Sequence, residues 1–230
     1  MPDVTVRAAD GGNFSAYLAS PKSGKGPGIV VIQEIFGVNP WIRSVADRYA
    51  AAGYVAMAPD LFWRIQPGIQ LTDKGADFQT ALGYMQKLDQ AKAVEDIQAT
   101  IDALRKNPAC TGKVGAVGYC LGGRLAYMTA ARTNIDAAVG YYGVGIDNII
   151  GEAGNIRKPL LLHVAEKDGF VPPPAQAKMK EGLAGNPRVT LLTYAGQDHA
   201  FARDGGDHYD KAAADLANAR TADFFKTNLA

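Results

Sequence analysis

The sequence predicts an α/β protein with a mostly parallel central sheet flanked by helices on both faces. Three observations carry that prediction. Short apolar runs rich in β-branched or aliphatic residues recur along the chain, at residues 28–33, 54–58 and 159–164. Segments with helical spacing stand between such runs, most clearly at residues 89–106. The runs also stop at turn formers such as Pro59-Asp60 and Asp168-Gly169. Strands that alternate with helices pack as a parallel sheet covered on two sides.

Taken in order, residues 4–8 and 14–18 alternate in polarity around Asp10-Gly11-Gly12-Asn13 and read as an antiparallel hairpin. Residues 28–33 form an apolar run of the kind buried on both faces of a central strand. It ends at Gln33-Glu34-Ile35-Phe36-Gly37. Residues 41–52 read as a helix closed by Gly53, and residues 54–58 as the next strand. Residues 61–88 are irregular, rich in aromatic and apolar side chains with scattered Gly and Pro, and are expected to form a lid or binding loop. Ala93, Val94, Ile97, Ile101 and Leu104 recur at helical spacing and give an amphipathic helix over 89–106. Cys110 falls in a loop at 107–112, and a strand then runs to Gly118 before a helix from Arg124. Strands at 135–142, 159–164 and 188–194 follow, with helices at 175–183 and 209–225.

The bulk properties narrow the function classes. A chain of 230 residues fits one domain with a sizeable core, and no repeat or linker divides it. A formal charge of +1 and the lack of a basic run give no electrostatic case for nucleic acid or a membrane surface. No apolar stretch approaches a membrane span, and the first residues lack a secretory layout. Two cysteines make no disulfide framework, so a reducing compartment is the default. The expectation is a cytoplasmic protein, monomeric or weakly homo-oligomeric, acting on a small molecule without cofactor or metal.

Chemistry concentrates at strand ends, where open α/β sheets bind ligands. Gly118-Tyr119-Cys120-Leu121-Gly122 follows the Gly-x-nucleophile-x-Gly pattern, with Cys in the slot more often held by Ser. A strand turning at once into a helix forces the central residue into a strained backbone, and small neighbours relieve the clash. Alone, this stretch is equally well read as a glycine-rich turn with an inert Cys. Asp168 and His199 change the weighing, because nucleophile, acid and His in this chain order match the α/β-hydrolase triad. A thiol near pKa ~8.5 needs a base or a positive neighbour to ionise at neutral pH. His can supply that and carry a proton to the leaving group. A carboxylate on the other ring nitrogen fixes the tautomer. Each has a plain alternative: Asp168 as an Asp-Gly turn former, His199 as a surface histidine, Glu34 as a solvated loop charge. Asp147 and Glu152 read as solvated loop charges, and Cys110 has no role.

Gln33-Glu34-Ile35-Phe36-Gly37-Val38-Asn39, Gly118-Tyr119-Cys120-Leu121-Gly122-Gly123, Tyr141-Tyr142-Gly143, the stretch from Lys167 to Pro172 and His199-Ala200-Phe201-Ala202-Arg203 together resemble the dienelactone hydrolase (carboxymethylenebutenolidase) family. The resemblance runs over nearly the whole chain. It implies the α/β-hydrolase fold and hydrolysis of enol-lactones or related esters, with Cys120 as nucleophile, His199 as base and Asp168 as its orienting acid. It further implies that Glu34 helps activate the thiol. The backbone N–H groups of Leu121 and Ile35 would form the oxyanion hole, and Arg203 would grip a substrate carboxylate. Two positions depart from the lactone-degrading pattern: Phe78 stands where a second arginine is expected, and Met85 where an aromatic is. The small hydroxyl residue after the His is replaced by Ala200. One arginine makes a weaker carboxylate clamp than two, since charged hydrogen bonds contribute ~1.5–3 kcal/mol each. A general carboxylesterase or thioesterase on more apolar substrates is therefore the alternative, and a non-hydrolytic thiol redox sensor a more distant one.

Overall fold

The computed structural model describes residues 3–230. Met1 and Pro2, part of the stretch read above for a secretory layout, lie outside the described residues. The chain packs as two compact units, one ending at Ala116 and the other running Val117–Ala230.

In the first unit, the polar alternation around the Asp10-Gly11 turn produces strands β1 (Asp3–Arg7) and β2 (Asn13–Ala19), paired antiparallel with Val6 opposite Phe14. Strand β3 (Gly26–Ile32) runs parallel to β4 (Val55–Pro59), with Ile29 beside Ala56 and Val30 beside Met57. The strand order is β1-β2-β4-β3-β5, where β5 is Cys110–Tyr119. Ile29, Val30, Val31 and Ile32 are wholly buried, as a strand covered on both faces requires. Helix α1 (Pro40–Ala51) packs on β2, β3 and β4. It starts cleanly because the Asn39 side chain accepts from the Ile42 N–H and Pro40 occupies the first turn.

The irregular reading of residues 61–88 needs correction. Its second half is a helix, α2 (Gly75–Lys87). Gly75 and Gly83 disguise it, no side chain caps its start, and it buries Ala81 alone among its residues, so the apolar periodicity is faint. Helix α3 (Gln90–Lys106) follows as expected, capped by Asp89 and burying Val94, Ile97, Ile101 and Leu104 against β3 and β4. Cys110 is also corrected, because it opens β5 instead of lying in a loop.

In the second unit the order continues β5-β6-β7-β8, with β6 (Ala137–Tyr141), β7 (Leu160–Ala165) and β8 (Val189–Tyr194) parallel to one another. Helices α4 (Leu121–Arg132) and α6 (Lys211–Leu229) both pack on β6 and β7. Every residue of those two strands is buried, which demands cover on both faces. Helix α5 (Pro173–Leu183) packs on a 3-10 segment, Ile146–Asn155. Glu152 in that segment is not a solvated charge: it forms a two-pronged ion pair with Arg132. His208 precedes α6, whose start is capped by Asp210. The architecture is thus the mostly parallel α/β sheet with flanking helices that the sequence predicts.

Candidate active site

β5 passes into α4 without a loop, and Cys120 stands at the junction with φ 55° and ψ −115°. A side chain in that region is strained by ~1–3 kcal/mol and persists only where its surroundings hold it. Here they do. The Cys120 N–H donates to the Tyr141 carbonyl at 3.1 Å, and the Cys120 carbonyl accepts from the Gly123 N–H at 3.0 Å. The flanking glycines are required by close approach: a Cβ at Gly118 would collide with the Gly122 backbone, and one at Gly123 with the Tyr141 carbonyl. Leu121 is the first residue of α4, and first-turn N–H groups have no acceptor within their own helix. Its N–H therefore has no acceptor within α4.

The turns after β7 and β8 bring in the other two residues. Asp168 and His199 are buried, and Asp168 Oδ2 accepts from His199 Nδ1 at 2.8 Å. The other carboxylate oxygen accepts from the Phe170 N–H at 2.9 Å, so Asp168 forms the turn and orients the imidazole at once. The ring of His199 also makes a hydrogen bond with the Cys120 side chain. Burial disfavours a charged His199, but the Cys120 charge and the hydrogen bonds to Asp168 and Cys120 outweigh it and lift the imidazole to about 10. At neutral pH the ring is therefore an imidazolium facing the Cys120 sulfur.

Strain gathers around this trio. Among the described residues, Cys120, Tyr142 (φ 38°) and Ala200 (φ 64°) are the non-glycines with positive φ. Ala200 follows His199 directly, and the Tyr142 ring meets the imidazole edge-on with centroids 5.1 Å apart. Phe170, 58% exposed, covers the imidazole from another side at 4.9 Å. The two turns are also tied together. Glu166 Oε2 accepts from the Gly196 N–H at 2.8 Å, and the Lys167 N–H donates to the Gln197 carbonyl at 2.8 Å. Gln176 donates to the carbonyls of Ala165, Glu166 and Val171. Sequence reasoning missed Tyr142, Phe170, Glu166 and Gln176. Phe170 and Tyr142 carried one visible signal, a large aromatic in a turn just past a strand.

The remaining expected residues fall in two places. In the first unit Glu34 and Ile35 lie just past the end of β3 and are buried. The Phe36 and Phe78 rings lie 6.4 Å apart, and Met85 is seven residues further along α2 on the same face. The Leu71 N–H donates to the Phe36 carbonyl, and Gly37 bridges to Gln70. Gln70, Leu71 and Phe78 therefore lie against the turn that follows Glu34 and Ile35. In the second unit Arg203 ends the turn begun by Ala200, its N–H donating to the Ala200 carbonyl. Among the described residues, no group of three or more His, Cys, Asp or Glu is placed to hold a metal ion. Among the described residues, no helix is long and apolar enough to cross a membrane.

A strained strand-to-helix elbow presenting a thiol, with a histidine and a buried carboxylate from later strand ends, is the kind of arrangement an α/β-hydrolase triad uses. Comparison with known proteins gives the family. The dienelactone hydrolase family pattern matches residues 14–229. A carboxymethylenebutenolidase of Pseudomonas putida is 40% identical, over 96% of this chain and 94% of its own. A protein of Azospirillum brasilense that bears the same name provisionally is 50% identical over the full length of both. A crystal structure from Klebsiella pneumoniae, provisionally titled a dienelactone hydrolase, is 26% identical with a TM-score of 0.85 over 98% of this chain and 97% of its own. The chain belongs to the dienelactone hydrolase family. It is accordingly a hydrolase of carboxylic esters or lactones.

Proposed function

We propose that the chain opens a small enol-lactone, or cleaves a related ester, through a thioester on Cys120. The observation that carries this reading is His199, bonded at once to Asp168 and to the thiol of a strained elbow. The Cys120 thiolate attacks the carbonyl carbon, and the carbonyl electron pair moves onto oxygen, where the N–H groups of Leu121 and Ile35 receive it. Each such donor is worth about 10²–10³ in rate. Collapse breaks the carbon–oxygen bond, and the departing oxygen takes the proton from His199. Neutral His199 then removes a proton from water, hydroxide adds to the thioester carbonyl, and the thiolate leaves. In a lactone the leaving oxygen stays on the product as an enol. Glu34 serves as a second proton acceptor for the thiol.

The relatives' name denotes a butenolide lactone with a carboxymethylene group, and Arg203 is the residue proposed to hold such a carboxylate. Phe78 and Met85 make the pocket more apolar than a double-arginine site. A second reading follows from those two residues: a carboxylesterase or thioesterase on apolar acyl groups. A panel of lactones and esters with and without a carboxylate, run on wild type and Arg203→Ala, separates them. Losses confined to acidic substrates support the lactone reading; equal losses across the panel remove it. Turnover that survives Cys120→Ala would contradict the thioester route altogether.

A further inference from the structure

The backbone of His199 is held by side chains rather than by secondary structure. Its N–H donates to Asp198 Oδ1 at 2.6 Å, and its carbonyl accepts from His208 Nδ1 at 3.1 Å. A carbonyl oxygen only accepts, so Nδ1 of His208 must carry the proton in this contact. That same nitrogen lies 3.9 Å from Asp198 Oδ2, which joins the two grips through one carboxylate. The peptide so held leads straight into Ala200 at φ 64°, a conformation an alanine keeps only under constraint. On the other side of the imidazole, Asp168 fixes Nδ1. The ring is thus located from both ends, by Asp168 at its nitrogen and by Asp198 and His208 at its backbone.

We propose that His208, with Asp198, is a positioning residue for His199: it clamps the strained 199–200 peptide so that the imidazole stays aligned on the Cys120 sulfur. The inference rests on the triad reading above. His208 touches no reacting atom in this scheme, so its loss should slow the chemical step and spare substrate binding. Misplacing a reacting group by an ångström can cost up to about 10²-fold. A partly exposed clamp, with half of the His208 side chain in solvent, supports an expectation of about tenfold.

The test uses two readouts on the intact protein. In His208→Ala, kcat for an activated ester should fall about tenfold with KM nearly unchanged, and the rate of Cys120 alkylation by iodoacetamide should fall in parallel. His208→Asn, whose amide N–H can reach the same carbonyl, should restore most of both. Asp198→Ala removes the other grip and should produce a similar parallel loss even if the His208→Ala chain fails to fold. Unchanged kcat and alkylation in the folded Ala variants would overturn the proposal. So would a fall in kcat without a fall in alkylation, because the effect would then bypass the His199–Cys120 pair. Alkylation needs no substrate, so the clamp is tested even if the ester and lactone panel shows no turnover; that outcome would count against the proposed activity alone.

Discussion

His163 and His199 are both buried histidines of the same unit, yet the structure drives them in opposite directions. His163 points into the core beneath α6, its Nδ1 2.7 Å from the Tyr194 hydroxyl and its Nε2 2.9 Å from the Thr221 hydroxyl. Its partners are neutral. Burial, aided by the charge of Arg220, pushes it down to about 3. His199 meets the same burial, but a carboxylate and a thiol face it, and it rises to about 10. Burial alone makes a histidine a neutral core group that ties helix to strand. Burial beside a carboxylate and a sulfur raises it instead and keeps the imidazole charged at neutral pH.

The largest difference between the two should appear in turnover. His199→Gln keeps the ring's rough volume but loses the proton relay, and kcat should drop by about 10⁴, with the fold retained by circular dichroism. A drop of tenfold or less would mean that the thiol does not depend on this ring.

Acid should expose His163 next. Its folded value lies below the unfolded one, so the unfolded chain binds the extra proton and stability falls as pH drops. The loss begins near pH 6.5 and runs toward pH 3, reaching at most about 5 kcal/mol from this residue. Denaturant melts of wild type and His163→Leu across that window isolate the contribution, since the variant should show a shallower slope. Parallel slopes would remove His163 as the acid-sensitive group. His199 has the opposite sign: its folded value is raised, so its contribution is complete below pH 6.5 and is lost as pH climbs through about 10.

At neutral pH, His163→Leu should cost about 3 kcal/mol of stability, because the Tyr194 and Thr221 hydroxyls each lose a buried partner. Its kcat should stay within about threefold of wild type, since no charge near Cys120 changes. Phe170→Ala is the smallest of the series. It removes one edge-on ring contact with His199, worth about 0.5–1.5 kcal/mol, and should lower kcat by roughly threefold to tenfold.

Much of this was legible in the sequence, and the exceptions share a cause. Cys120, Asp168 and His199 could be found because each lies past a strand end and the three stand in the chain order nucleophile, acid, histidine. The hairpin, the parallel strands and α3 followed from clean periodicity. Helix α2 was missed because its two glycines and single buried residue leave almost no period to detect. Glu166 and Gln176 were invisible for another reason: they hold backbone groups of residues elsewhere in the chain, and such pairings have no fixed sequence spacing. In the sequence His208 stands only beside the expected helix at 209–225, whereas in the structure its partner is the His199 carbonyl. The opposed roles of His163 and His199 were partly readable, since one lies inside an apolar strand and the other in a turn.

The most direct test of the central claim is a proton NMR titration of the histidine Cε1–H signals, with His163→Leu, His199→Gln and His208→Ala used for assignment. The account predicts a His199 signal that stays at its imidazolium position until about pH 10 and moves toward neutrality in Cys120→Ala, while His163 remains neutral down to about pH 3. A His199 signal that titrates near 6.5 and ignores the loss of Cys120 would contradict it.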